Sequence, residues 1–352
     1  MTRPIASEAF GLKFPWDDHP GLTEAREVAG GIWWIRSPLP MRLDHVNCYA
    51  LDEGDSWTLV DTGMNTSKVR AAWEEILAGP LQGKPVSRVI LTHHHPDHIG
   101  LAGWFCERGA ELWCTRLGYV MARMMIMDRA EVPSDSQVAF RRASGAPEDE
   151  VARYSREKPW NLSDAVGPLP PRFRNIREGQ ALRIGGRDWH VHFGHGHAPD
   201  HVTLWNEDII LAGDQIIPGI STNIGVWAME PDADPLGDWL ESCRRLKGVS
   251  DGTQALVLPG HKLPFIGADF RLDALIENHE SALRRILKAL EAGPLNAAGT
   301  FVPVFKREIT GSQYGLALAE AVAHMNHLLR RGLVSRTMRD GAWMYELTGQ
   351  AR

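Results

Sequence analysis

The run Thr92-His93-His94-His95-Pro96-Asp97-His98, directly behind the apolar segment Val89-Ile90-Leu91, constrains this chain more than any other stretch. It sets three imidazoles and a carboxylate at metal-ligand spacing. In an extended or tightly turning backbone, side chains at i and i+2 point the same way. His93 and His95 can therefore share one ion while Asp97 and His98, past the Pro96 turn, face a second. A single ion would not use all four. His94, between two ligands, is expected to point away and serve structure.

Further chemistry-bearing residues follow in loops just past strand-like runs. Trp189-His190-Val191-His192-Phe193 leads into Gly194-His195-Gly196-His197-Ala198-Pro199-Asp200-His201, Ile209-Ile210-Leu211-Ala212 into Gly213-Asp214, and Ala255-Leu256-Val257-Leu258 into Pro259-Gly260-His261. With the upstream turn Val60-Asp61-Thr62-Gly63, this order resembles the metallo-β-lactamase-fold hydrolase superfamily over residues from about 30 to 265. The resemblance implies that His93, His95 and His197 hold one divalent ion, that Asp97, His98 and His261 hold a second, and that Asp214 bridges them. Asp97 and Asp214 are then the carboxylates on which catalysis depends. Two ions about 3.5–4 Å apart would turn a shared water into a metal-bridging hydroxide near neutral pH and stabilise the oxyanion formed on substrate. A mixed His/Asp set suits Zn2+ and also accepts iron or manganese.

Two histidines compete for one role. His195 and His197 both sit in the glycine-rich turn, but His197 matches the family's Gly-His-x-Pro-x-His pattern. His195 is left as a pocket residue and His201, the last of the pattern, as a support for the loop. Asp61 carries two compatible readings: it accepts a ring N–H from a metal-bound imidazole, or it caps the bend before the next helix.

Substrate contacts are expected from two segments. The first is an insertion from about residue 117 to 175, whose front, Tyr119 to Met127, is methionine-rich and helical in pattern. Segments of that length usually act as lids, and methionines make adaptable apolar surfaces, so Met124 and Met125 are expected to wall the substrate site. A helix pair on the outer surface, or a homodimer contact, is the alternative. The second is the stretch after Asp214, which makes Ser221, Asn223 and Trp227 pocket candidates by proximity alone.

Alternating strand and helix patterns suit an α+β fold, an αβ/βα sandwich with its metal loops at one edge between two sheets. Helical spacing predicts helices over about 67–78 and 98–108. With 352 residues the chain exceeds one typical domain. Residues 1–270 are expected to form the catalytic domain and 271–352 a small second one. That tail pairs an amphipathic helix (Leu272 to Leu290) and a second helix (about 313–331) with a hairpin around Asp340-Gly341. It resembles the winged-helix-like domain ending one branch of the superfamily, which includes lactamase-beta-like endoribonucleases.

The reading this supports is a dinuclear hydrolase of a small or medium ester, thioester or lactone. The first alternative is a single-stranded RNA endoribonuclease or phosphodiesterase; β-lactamase and iron-dependent sulfur dioxygenase activities follow. A net charge of −6 and a pI near 6.2 argue against a broad nucleic-acid surface. Arg141-Arg142, Arg172-Arg174-Arg177 and Arg330-Arg331 are the places for a local basic patch. No apolar run approaches the ~20 residues that span a bilayer, and Met1 to Glu8 lacks a signal-peptide pattern, so a cytoplasmic location without membrane association is expected. The four cysteines, scattered and without C-x-x-C spacing, are expected as buried thiols.

Overall fold

The computed structural model describes residues 5–9, 11–250 and 252–350. The chain runs through β1 (Ser7–Ala9), β2 (Leu12–Phe14), β3 (Ala25–Ala29), β4 (Ile32–Pro38), β5 (His45–Asp52), β6 (Trp57–Val60), α1 (Ser67–Ala78) and β7 (Val86–Ile90). It continues with α2 (Pro96–Ile99), α3 (Ala102–Cys106), β8 (Glu111–Cys114), α4 (Arg116–Met127), α5 (Asp135–Ala143), α6 (Glu148–Tyr154), β9 (Arg174–Asn175), β10 (Ala181–Ile184) and β11 (Arg187–Gly194). Then come β12 (His201–Trp205), β13 (Ile209–Gly213), α7 (Pro235–Ser250), β14 (Leu256–Pro259) and β15 (Phe265–Ile266). The last elements are α8 (Ala268–Leu290), α9 (Phe301–Phe305), α10 (Tyr314–Arg330), β16 (Val334–Arg339) and β17 (Ala342–Leu347).

Two mixed sheets form the centre of an α+β, αβ/βα sandwich. One runs β3-β4-β5-β6-β7-β8-β9, the other β1-β2-β15-β14-β13-β12-β11-β10. Their facing sides share one core, in which Trp34, Tyr49 and Ile90 of the first meet Trp189, Val191 and Leu258 of the second. Strands fully buried on both faces read as continuous apolar runs, as Ile209-Ile210-Leu211-Ala212 does. The outer face of the first sheet is covered by α1, α3 and α4 through Trp73, Phe105 and Ala122. That of the second is covered by α7, α8 and α10 through Trp239, Leu275 and Val322.

Local signals account for several boundaries. Thr66 caps α1, its hydroxyl accepting from the Val69 N–H. At the C-terminal hairpin β16 pairs β17 antiparallel, and Asp340 and Gly341 take φ of 51° and 80°, the left-handed pair that a two-residue turn requires. The boundary expected after residue 270 falls in the first turn of α8.

The helix expected over 98–108 is broken into α2 and α3. Tertiary hydrogen bonds cause the break: the Thr62 N–H and hydroxyl both donate to the His98 carbonyl, and the Thr62 hydroxyl accepts from the Leu101 N–H. The backbone there passes so close to the 63–65 turn that a Cβ on Gly100 would lie 2.5 Å from the Asn65 nitrogen. Only glycine fits.

The insertion is helical but divides its packing. Tyr119, Met125 and Ile126 of α4 rest on the outer core of the first sheet. In contrast, Val138, Phe140 and Val151 of α5 and α6 join the core built around the C-terminal helices, where Phe140 meets Trp343 edge-on at 5.9 Å. Cys48, Cys114 and Cys243 are buried and Cys106 is partly exposed; all four are free thiols. No helix among the described residues is long and apolar enough to cross a membrane.

Candidate metal centre

The loops at the C-terminal ends of β7, β11, β13 and β14 meet on one edge of the sandwich, between the sheets. After β7 the chain presents His93 and His95, then turns at Pro96, which stands first in α2, so that Asp97 and His98 follow in one helical turn. The β11–β12 loop supplies His197, Asp214 directly follows β13, and His261 follows β14. These seven residues fall into three overlapping groups whose ligand atoms lie within 4.8 Å of one another: His93, His95 and His197; His93, His98 and Asp214; Asp97, His98 and His261. Asp214 lies between the outer two, its carboxylate oxygens 3.4 Å from His98 Nε2, 3.6 Å from His197 Nε2 and 3.3 Å from His261 Nε2.

Each ring is fixed by the nitrogen it turns away from the cluster. His197 Nδ1 donates to the Asn223 carbonyl at 2.8 Å and His261 Nδ1 to the His45 carbonyl at 2.6 Å. His98 Nδ1 donates to Asp61 Oδ2 at 2.7 Å. The Thr92 hydroxyl donates to Asp61 Oδ2 and so accepts from His93 Nδ1 at 3.0 Å. In all four the remaining Nε2 faces inward, the orientation a metal ligand needs. His95 instead presents Nδ1, 2.9 Å from His93 Nε2, while His197 Nε2 lies 3.3 Å from the same atom.

The residues present fit a divalent cation. His98 Nε2 and Asp214 Oδ1 are buried without a hydrogen-bond partner, although buried polar atoms are almost always paired. Three ring nitrogens also converge with more lone pairs than protons. Electrostatics agree with the geometry. Burial, reinforced by the neighbouring imidazoles, holds His93 and His95 well below the ordinary histidine range, so both are neutral. Burial opposes charge on His98, but the Asp214, Asp61 and Asp97 carboxylates outweigh it and hold that imidazole well above its usual value. Against its own burial, Asp214 is held well below the carboxylate range by His261 and His98. A cation is the partner that suits carboxylates and neutral imidazoles together.

The second ring of contacts is equally specific. Asp61, at φ 61°, accepts from the Thr92 N–H at 2.9 Å as well as from His98, so its side chain spans the turn and the metal loop. His201 accepts the Asp214 N–H at 3.0 Å and stacks on His93, 4.7 Å between ring centres. A Cβ on Gly260 would meet Asp214 Oδ1 at 2.2 Å, so glycine lets the two loops close on each other. Sequence reasoning missed Thr92, His45 and Asn47; the Asn47 amide donates to the Pro259 and Lys262 carbonyls and fixes the loop of His261. Thr92 stands beside the motif and could have been suspected, whereas the role of His45 is carried by its backbone carbonyl, which no side-chain pattern marks.

The remaining expected residues lie around this cluster. His94 turns into a small cavity lined by Thr115, Tyr119 and Ala122. His195 joins none of the ligand groups: its ring faces the Pro199 carbonyl and its N–H donates to the Ser242 hydroxyl. The hydroxyl of Ser221 bonds His279, and the amide of Asn223 bonds Glu320 and the Leu316 carbonyl. Met125 is packed in the outer core, while Met124 and Trp227 are exposed at 40% and 51%.

Comparison with known proteins agrees with this geometry. Residues 41–261 match the family model described as the Metallo-beta-lactamase superfamily, and residues 283–348 match that of the Metallo-beta-lactamase-like, C-terminal domain. A crystal structure of a beta-lactamase domain protein from Burkholderia ambifaria is 36% identical, covers 96% of this chain and 97% of that one, and superposes with a TM-score of 0.86. The probable metallo-hydrolase YqjP of Bacillus subtilis is 26% identical over 84% of this chain and 91% of its own length. An atrochrysone carboxyl ACP thioesterase of Aspergillus fumigatus is 22% identical over 72% of this chain and 62% of that protein.

Proposed function

The chain belongs to the metallo-beta-lactamase superfamily and is a metal-dependent hydrolase, and on that premise we propose that it is a dinuclear enzyme acting on an ester, thioester or lactone of small or medium size. One observation carries the dinuclear reading: two groups of inward-facing ligand atoms, His93/His95/His197 and Asp97/His98/His261, stand on either side of the Asp214 carboxylate. Seven donors exceed what one tetrahedral ion takes. Zinc is the ion we favour, with iron and manganese accommodated by the same donors.

Two divalent ions bound there would supply a nucleophilic water near neutral pH and Lewis-acid stabilisation of the developing oxyanion. The chain's own residues do the positioning. Asp61 and the Asn223 and His45 carbonyls hold the imidazoles in the tautomer and orientation that aim Nε2 inward. His201 and Thr222 clamp the backbone of Asp214 from its N–H and its carbonyl. Support for the acyl substrate class comes from the thioesterase relative and from the exposed apolar residues Met124 and Trp227 on the segments expected to meet substrate.

Elemental analysis combined with an aryl ester, thioester, lactone, cephalosporin and single-stranded RNA panel tests the proposal. Two ions per chain and turnover concentrated on the acyl substrates are expected. One ion per fully active chain would refute the dinuclear reading, and RNA cleavage without ester turnover would refute the substrate class.

A further inference from the structure

The segment after Asp214 is held by helices that supply no ligand. The Thr222 hydroxyl donates to the Asp214 carbonyl at 2.7 Å, and the next residue, Asn223, gives its carbonyl to His197 Nδ1 at 2.8 Å. This short stretch therefore touches two members of the metal cluster. Beyond the cluster, the hydrogen bonds of residues 217–226 among the described residues run to α8 and α10. The Asn223 amide donates to Glu320 Oε2 at 2.8 Å and to the Leu316 carbonyl at 3.3 Å, and the Val226 N–H donates to the Ala319 carbonyl at 3.0 Å. Arg271 of α8 donates to the Ile217 carbonyl at 2.6 Å.

A directed chain of hydrogen bonds ties the same stretch to the same two helices. His324 Nδ1 faces the Glu320 carbonyl at 2.8 Å and must donate, which leaves its Nε2 to accept from His279 Nδ1 at 3.3 Å. His279 Nε2 is then an acceptor, and the Ser221 hydroxyl donates to it at 3.0 Å. Each ring proton has one place to go. Burial keeps both rings neutral, with pKa values pushed down to about 3 for His279 and about 4 for His324, so the order of donors is fixed.

We propose that Glu320, acting through Asn223, is a positioning residue for His197, and that α10 thereby sets the geometry of the His93/His95/His197 position from outside the ligand set. The inference rests on the dinuclear reading above. A general anchor for the loop would affect both metal positions and the fold alike. A positioning residue affects the one whose imidazole it orients; direct partners of such an imidazole are worth 10- to 100-fold in metal affinity, and Glu320, one hydrogen bond further out, belongs at the lower end of that range.

The test uses the full chain loaded with Co2+ and titrated against a competing chelator, with thermal unfolding followed in parallel. In Glu320→Leu one of the two ions is expected to bind about 10-fold or more weakly, with a changed ligand-field spectrum, while the other keeps the parent affinity. Glu320→Gln, whose amide oxygen can accept the same bond from Asn223, is expected to restore the parent behaviour. Asn223→Ala, which keeps the carbonyl but drops the link to Glu320, is the second variant and should reproduce the selective loss. Unchanged affinity for both ions in Glu320→Leu and Asn223→Ala, or equal weakening of both ions together with a lower Tm, overturns the inference alone. A parent chain that binds fewer than two ions overturns the dinuclear reading and the inference with it.

Discussion

Each ring in the cluster can hand over only one nitrogen, and what stands behind the other decides which. That makes His197 and His195 a clean comparison, because they lie two positions apart in one glycine-rich turn yet have unlike surroundings. His197 faces inward with Nδ1 on the Asn223 carbonyl; His195 is turned toward Pro199. His197→Ala is expected to cost metal, read by elemental analysis, whereas His195→Ala should keep the parent metal content. The reverse pattern would exchange the two assignments. How His93, His95, Asp97 and His98 converge was legible in the sequence because they are neighbours along the chain and the turn between them is written by Pro96. Their orienting partners were less legible. Asp61 could be suspected from its type and place, but the carbonyls of Asn223 and His45 act through backbone atoms that every residue possesses.

At the scale of elements, periodicity located α1 and α8 because each buries one stripe visible as 3.6-residue spacing, whereas α10 is buried over most of its circumference and the spacing of Leu318, Val322 and Met325 marks only part of its contact. It failed at residues 98–108, where hydrogen bonds to the turn around Thr62 interrupt the helix; amphipathic spacing carries no information about a partner 36 residues away. The same blindness applies to the insertion. Its helices were expected over the metals or, as the alternative, packed on the outer surface; a pattern says which face is apolar and not what that face will meet, and α5 and α6 pack on the C-terminal elements. On α4 an apolar stripe, Leu117, Val120, Met124 and Met127, remains exposed. If that stripe receives an acyl chain, kcat/KM should rise with chain length, since each buried CH2 contributes up to about 0.8 kcal/mol. Met124→Ser should then flatten the rise at unchanged metal content. A flat profile in the parent enzyme would remove α4 from the substrate site.

At the scale of the whole molecule, the layered sandwich was legible from the order of strand and helix patterns. The seam between α8, α10 and the metal loops was not, because it is built from buried histidines whose sequence spacing looks incidental. This seam gives the fold a pH signature. His279 and His324 stay neutral in the native state, with pKa values lowered to about 3 and about 4 from an ordinary 6.5, mainly by burial, and further by His324 and His327 for His279 and by His327 and Arg285 for His324. The unfolded chain therefore binds protons that the native chain refuses. Their contribution is fully present above about 6.5 and is lost as pH falls, at about 1.4 kcal/mol per pH unit for each ring. Urea unfolding of the metal-free chain between pH 7 and 4.5 should show this slope, and the double variant His279→Asn/His324→Asn should be less steep. Equal slopes would sink the assignment. The two sheets have a further consequence. Each candidate ion would be gripped from both of them, His93 and His95 against His197, Asp97 and His98 against His261. During synthesis the first sheet's donors emerge long before the second's, so a half-made chain carries only a fragment of either cage. On the dinuclear reading, uptake of the ions would be a closing act of folding, because neither cage is complete until the two layers have docked.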